Sequence, residues 1–142
     1  MYLKKTRPLS SYSNYAAVEY INSFLPESAR VLVLGDSAGF RLKRDYIISS
    51  VFDRNPAVEW AMLSADAEEL RKRMTEAGVT HVMINYGEAA RNSAYRIFYW
   101  DERGAAVFAD FTSKYLKEVF SHTEKRGDSP VNRVAVYEIS AG

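Results

Sequence analysis

The sequence predicts one α/β domain with a mixed sheet: a parallel βαβ core, an antiparallel hairpin at the C-terminal end, and helices packed on the sheet. Three observations predict it. Two short runs, Val31-Leu-Val-Leu34 and the centre of Val79-Thr-His-Val-Met-Ile-Asn85, are apolar on both faces, as strands buried between helices must be. The segments around them carry apolar residues at helical spacing. The chain then closes with two β-prone runs around a polar turn.

The first dozen residues, 1–12, are rich in Lys, Ser and Tyr and read as a lead-in, with the domain occupying 13–142. A helix fits residues 14 to 25, where Ala17, Val18, Ile21, Phe24 and Leu25 share one face. Ser13 or Asn14 can cap its start and Pro26 stops it. The strand 31–34 follows and leaves through Gly35-Asp-Ser-Ala-Gly39. Tyr46 to Phe52 is a second β-prone run, interrupted by Ser49 and Ser50.

Asn55-Pro56 supplies a cap and then a proline at the first helical position, which predicts a short helix through Leu63. A further helix is expected over 65 to 77, capped by Ser64, with Leu70, Met74 and Ala77 inward and Gly78 ending it. The strand at 79–85 comes next. Residues 105 to 116 form an amphipathic helix with Val107, Phe108, Phe111 and Tyr115 inward. Strands at 117–123 and 132–139 flank the turn Glu124-Lys-Arg-Gly-Asp-Ser-Pro130. Strands 31–34 and 80–85, joined through helices, should be parallel neighbours with a right-handed crossover. The expected architecture is Rossmann-like, in two or three layers.

Composition narrows the chemistry. The chain has 142 residues, 47% hydrophobic and 26% charged, which suits a globular core. Nineteen lysines and arginines stand against 18 acidic residues, so the net charge of +1 predicts no general attraction to nucleic acid. With no cysteine, disulfides, thiol nucleophiles and zinc–thiolate sites are excluded. His81 and His122 are the whole imidazole supply, which excludes a histidine-rich metal site, and no cofactor is expected. The N-terminus has basic residues without an apolar core behind them, and no run approaches the roughly 20 apolar residues of a membrane span.

Gly35-Asp36-Ser37 follows a buried strand, the setting in which hydrolases of the GDSL type place their nucleophilic serine. Such a serine needs a base and oxyanion donors. The family's Asp-x-x-His motif has Val119 in place of aspartate before His122, and Asn85-Tyr-Gly87-Glu is a poor substitute for its Gly-x-Asn-Asp block. Read structurally, Gly35 and Gly39 shape a turn that Asp36 or Ser37 caps. Gly35-x-x-x-Gly39 is neither a dinucleotide fingerprint nor a P-loop, although Arg41, Lys43 and Arg44 could meet an anion.

His81, within an apolar strand, reads as a satisfied, half-buried histidine. Asn85, Glu88, Arg91 and Asn92 would gather near Asp36 if the two strands are parallel neighbours, at the edge where open α/β sheets take ligands. The candidate ligand-binding set is therefore Asp36, Ser37, Arg41, Asn85, Glu88 and Arg91. Tyr95-Arg-Ile-Phe-Tyr-Trp100 could serve as an interaction surface or close over the core.

The succession is similar to the soluble C-terminal region of bacterial membrane glycosyltransferases of the dolichyl-phosphate-mannose-protein mannosyltransferase-like and aminoarabinose-transferase-like group. The matching pieces are Tyr15-Ala-Ala-Val-Glu-Tyr-Ile-Asn-Ser-Phe-Leu-Pro26, Arg30-Val-Leu-Val-Leu-Gly35, Gly39-Phe, Val51-Phe-Asp53, Ala67-Glu-Glu-Leu70, Gly78-Val-Thr-His-Val-Met-Ile-Asn85 and Val136-Tyr-Glu-Ile139. The resemblance implies a noncatalytic accessory domain on the extracytoplasmic side. Its partners would be the membrane-embedded part of a parent chain, which holds the polyprenyl-phosphate sugar and the catalytic acids, and a glycan or protein acceptor. Tyr2-Leu-Lys-Lys-Thr-Arg-Pro8 would connect to the last span. The other readings are a small GDSL-like serine hydrolase using Ser37 and a free-standing ligand-binding α/β domain.

Overall fold

A computed structural model describes residues 14–35, 41–48, 55–86 and 101–140. In these, helix α1 (Tyr15–Phe24), strand β1 (Arg30–Leu34) and strand β2 (Asp45–Ile47) come first. Helices α2 (Pro56–Leu63) and α3 (Ala67–Glu76) lead to strand β3 (His81–Asn85). Helix α4 (Glu102–Tyr115) then precedes the hairpin of β4 (Leu116–Arg126) and β5 (Ser129–Ile139).

The five strands form one mixed sheet in the order β2-β1-β3-β5-β4. β1 is parallel to both β2 and β3, with Val31 opposite His81 and Leu34 opposite Ile84. β5 runs antiparallel to β3 and to β4. The expected parallel pair, mixed sheet and terminal hairpin are all present.

Alternation along the central strands divides the core into two layers. Leu32, Leu34, Val82, Ile84, Ala135 and Tyr137 pack with α2, α3 and α4, where Phe111 and Leu70 are fully buried. Val31, Val33, Met83, Val134 and Val136 pack with Ala17, Ile21 and Leu25 of α1. Among the described residues one helix covers one face and three cover the other, so of the two- and three-layer alternatives the fold is three-layered.

Local chemistry explains most helix boundaries. Asn55 caps α2 by accepting from the Ala57 N–H at 2.9 Å, with Pro56 next, as its sequence predicts. At the other end of α3, Gly78 adopts φ +79°, and the N–H groups of Gly78 and Val79 donate to Thr75 and Met74. This paired pattern satisfies the last carbonyls and needs the left-handed conformation glycine tolerates.

The α3 start departs from expectation. Asp66 rather than Ser64 is the cap, accepting from the Glu69 N–H at 2.9 Å, while Glu69 accepts from the Ala65 N–H at 2.8 Å. Ser64 closes α2 instead, donating its hydroxyl to the Trp60 carbonyl at 2.6 Å. The acid wins because it sits three residues before Glu69 and the two can satisfy the exposed donors reciprocally. The second strand is also shorter than its run of β-formers suggests, ending at Ile47, with residues 49–52 outside the described set. The hairpin strands are longer than expected, because the turn shrinks to Gly127 and Asp128, with Gly127 at φ +64°.

A further regularity is not written in local sequence. Three helix C-termini are each closed by an arginine from elsewhere. Arg44 donates to the carbonyls of Asn22, Leu25 and Pro26 behind α1, with distances down to 2.8 Å. Arg30 reaches Ala77 behind α3 at 2.7 Å, and Arg103 reaches Met62 and Ser64 behind α2. A guanidinium offers several donors to carbonyls that carry the negative end of the helix dipole. These arginines are structural.

Candidate functional site

Because β2, β1 and β3 are parallel, their C-terminal ends share one edge of the sheet. Open α/β sheets bind ligands at such an edge, where loops leave the strands. Gly35 follows the rung that joins Leu34 to Ile84, which places it beside Asn85. Gly35 holds φ +94°, and Asn85 is fully buried and opposite Val134 of β5. Asn55 is 1% exposed at the same edge and donates its Nδ2 to the Val33 carbonyl at 2.8 Å. That bond fixes the start of α2 against the end of β1.

The expected meeting of the two strand ends is therefore real, and Asn85 stands in it. Asp36 and Ser37 continue directly from Gly35, and Glu88 and Arg91 from Tyr86, but all four lie outside the described residues, as does the aromatic run 95–100. Arg41 is placed differently. Its carbonyl accepts from Asn22 Nδ2 at 2.9 Å, and Lys43 N–H donates to Asn22 Oδ1 at 2.7 Å. A strand parallel to β1 can start only after the chain has crossed back to the opposite edge, and residues 41–44 complete that return. The backbone of Arg41 thus lies by the C-terminal end of α1, away from Asn85.

The edge gains a polar group that sequence reading did not assemble. Tyr86 follows Asn85, and its hydroxyl lies 2.5 Å from the Tyr137 hydroxyl. Arg133 stands with its guanidinium carbon 5.1 Å from the centre of the Tyr86 ring, and pairs with Glu118. Burial, reinforced by the bond to Tyr86, raises the Tyr137 pKa far above the ordinary tyrosine range, so it stays a neutral phenol. Tyr86, Arg133 and Glu118 remain 38%, 42% and 44% exposed, enough to touch a ligand. Aromatic faces beside fork-shaped donors and a carboxylate suit the mixed apolar and hydroxyl surface of a sugar. Only Tyr86 was within reach of sequence logic, as the neighbour of Asn85. Arg133, Tyr137 and Glu118 arrive through strand register.

Neither histidine stands at the C-terminal end of β1. His81 opens β3 at the other end of the sheet, opposite Val31, with Nδ1 2.8 Å from the Thr80 hydroxyl. It is the satisfied, buried histidine its surroundings predict, at 7% exposure. His122 sits on β4, separated from β1 by β3 and β5, or roughly 14 Å of sheet at the usual strand spacing. Among the described residues, no cluster of three His, Asp or Glu side chains could hold a metal ion.

His81 gives the fold a pH dependence. Burial lowers its pKa below the ordinary 6.5, opposed by the nearby Glu138 carboxylate. The unfolded chain therefore binds the proton more readily than the native one. The contribution of neutral His81 is complete above 6.5 and is lost as pH falls from there through the lowered native value. Melting temperatures recorded across this range should fall on acidification for the parent protein. His81→Gln should flatten that part of the profile, and an unchanged slope would remove His81 as its source.

No helix among the described residues is long and apolar enough to cross a membrane. A scan against known protein families, a search of curated proteins and a search of solved structures each find no match to the chain.

Proposed function

We propose that this chain is a noncatalytic accessory domain of a multi-span, polyprenyl-phosphate-sugar-dependent glycosyltransferase-like membrane protein, placed on its extracytoplasmic side. In this reading the domain holds a glycan or protein acceptor at the C-terminal edge of its parallel strands, while the membrane-embedded part performs the transfer. The observation that carries the reading is the group Tyr86–Tyr137–Arg133–Glu118, reached by the chain just past the end of β3. Its polar atoms are bonded to one another in a way that orients them for contact, with a phenol kept neutral and an arginine laid on an aromatic face. The resembling segments support it too, since they fall on α1, β1, α3, β3 and β5 of the one domain.

Two measurements test the proposal. The native gene should encode many apolar segments ahead of residue 1, and a reading frame that starts there would defeat the membrane parentage. Separately, thermal-shift screening against a panel of oligosaccharides should find a ligand. A ligand present at 100 times its Kd stabilises a protein by about 2.7 kcal/mol. Arg133→Ala and Tyr86→Ala should each abolish most of that shift. A shift indifferent to both would move the binding surface elsewhere.

A further inference from the structure

The sheet has two edges of unequal length. At one edge β2 offers three residues, a length that gives another strand little to pair with. At the other, β4 runs for 11 residues. Among the described residues no strand pairs with the outer side of β4, and residues 121–126 are all exposed. Such an edge carries a row of backbone N–H and C=O groups that a further strand can bond. The hairpin also outgrows the sheet behind it. β3 ends at Asn85, opposite Val134, so residues 129–133 of β5 have only β4 as a neighbour. A ribbon of two strands is marginal by itself in water, and additional strands would support it.

Register decides which strand fits this edge. A bulge at Val119 interrupts the pairing of β4 with β5, whereas the second irregularity takes its extra residue, Val131, from β5. Residues 120–126 are therefore one unbroken stretch, with Phe120, His122, Glu124 and Arg126 on the α1 face of the sheet. Opposed residues of an antiparallel pair share a face, so a twofold axis through this stretch must pass at a residue. An axis at Glu124 or Lys125 sets that side chain against its own charge. An axis at Ser121 or His122 runs into the bulge, and the latter sets imidazole against imidazole. Only an axis at Thr123 matches the whole stretch. It places threonine against threonine, His122 against Glu124, Ser121 against Lys125 and Phe120 against Arg126, with no like charges opposed. Threonines pair well across strands, an imidazole N–H donates to a carboxylate, and a guanidinium settles on an aromatic face. That aromatic face is already held in place, because Phe120 stacks on Tyr20 of α1 with ring centres 4.7 Å apart.

We propose that β4 is a self-association edge. Two copies of this chain join antiparallel through residues 120–126, about a twofold at Thr123, into one continuous sheet. Main-chain bonds supply the attraction, and the opposed side chains select the partner. A second copy is the fitting occupant because the same segment carries both halves of every pair, as a twofold interface requires. One short strand a side is far below the roughly 20–30 residues of a standard interface, so the dimer is weak and reversible. The association goes beyond the accessory-domain reading and uses none of the residues assigned to acceptor binding.

The test is sedimentation velocity on the whole chain from about 10 µM to about 1 mM, the span over which a weak interface fills. The parent protein should pass from monomer to dimer across it. Glu124→Lys and His122→Glu should each weaken dimerisation about tenfold, since two pairs per dimer turn from favourable to opposed. An equal mixture of the two variants should recover it. There His122 of one copy meets Glu124 of the other, and the introduced lysine meets the introduced glutamate. Both positions are exposed, so each variant should keep the parent's melting temperature, which separates association from folding. A chain that stays monomeric at about 1 mM overturns the proposal and leaves the edge to a different strand. Single variants that dimerise as well as the parent, or a mixture no tighter than its components, overturn it equally. None of these outcomes bears on the sugar-binding test above.

Discussion

Phe111→Ala should cost this domain about 3–5 kcal/mol of unfolding free energy, the range for emptying a large aromatic site. Phe111 is fully buried in α4 and is flanked by Phe108 and Tyr115, with ring centres 6.0 and 5.9 Å away. It lies in the layer where α2, α3 and α4 meet the sheet, so its loss loosens several contacts together. Natural domains have only about 5–15 kcal/mol in hand, so the variant should sit near the limit of stable folding. Urea unfolding followed by circular dichroism reads the effect as a lower midpoint with an unchanged slope. A loss below about 1 kcal/mol would mean that the neighbours close the space, or that α4 does not pack as described.

Asn55→Ala should be the costliest polar substitution. The side chain is 1% exposed and does two things at once: Oδ1 caps α2, and Nδ2 donates to the Val33 carbonyl. Losing a cap costs about 1 kcal/mol, and leaving a buried carbonyl without its partner about 1–3 kcal/mol, so a total of about 2–4 kcal/mol is expected. Asn55→Asp separates the two roles. An ionised aspartate keeps the capping acceptor but faces Val33 with a second acceptor, so the variant should be clearly destabilised at neutral pH. Burial against a carbonyl raises the native pKa of that new acid, so the native state binds the proton more readily than the unfolded chain. Stability of the variant should therefore recover as pH is lowered and fall as it rises. If Asn55→Asp matched the parent protein at neutral pH, the bond to Val33 would carry little weight.

How much of this was legible beforehand depends on the range of the interaction. Asn55-Pro56 and the Gly78 stop were readable because a cap and a left-handed turn are decided within a few residues. The meeting of Asn85 with the end of β1 was readable as well, because two apolar strands joined through helices favour a parallel pairing. Two local choices misled. Ser64 and Asp66 are both good caps, and only the reciprocal bonds of Glu69 select Asp66. Arg41 lies close to Gly35 in sequence, yet the parallel start of β2 carries it to the other edge.

The sequence by itself determined the alternation of helices and strands, most of their inward residues, and a core without thiols or paired imidazoles, whereas Phe24, expected inward on α1, is 74% exposed. Periodicity and composition encode these directly, since each is a property of neighbours along the chain. Only the tertiary structure decided that β5 lies between β3 and β4, that three arginines close three distant helix ends, and that Tyr86 meets Tyr137 and Arg133. Those outcomes depend on register between segments about 20 to 50 residues apart. Register follows from how whole faces bury together, so no short window of sequence contains it.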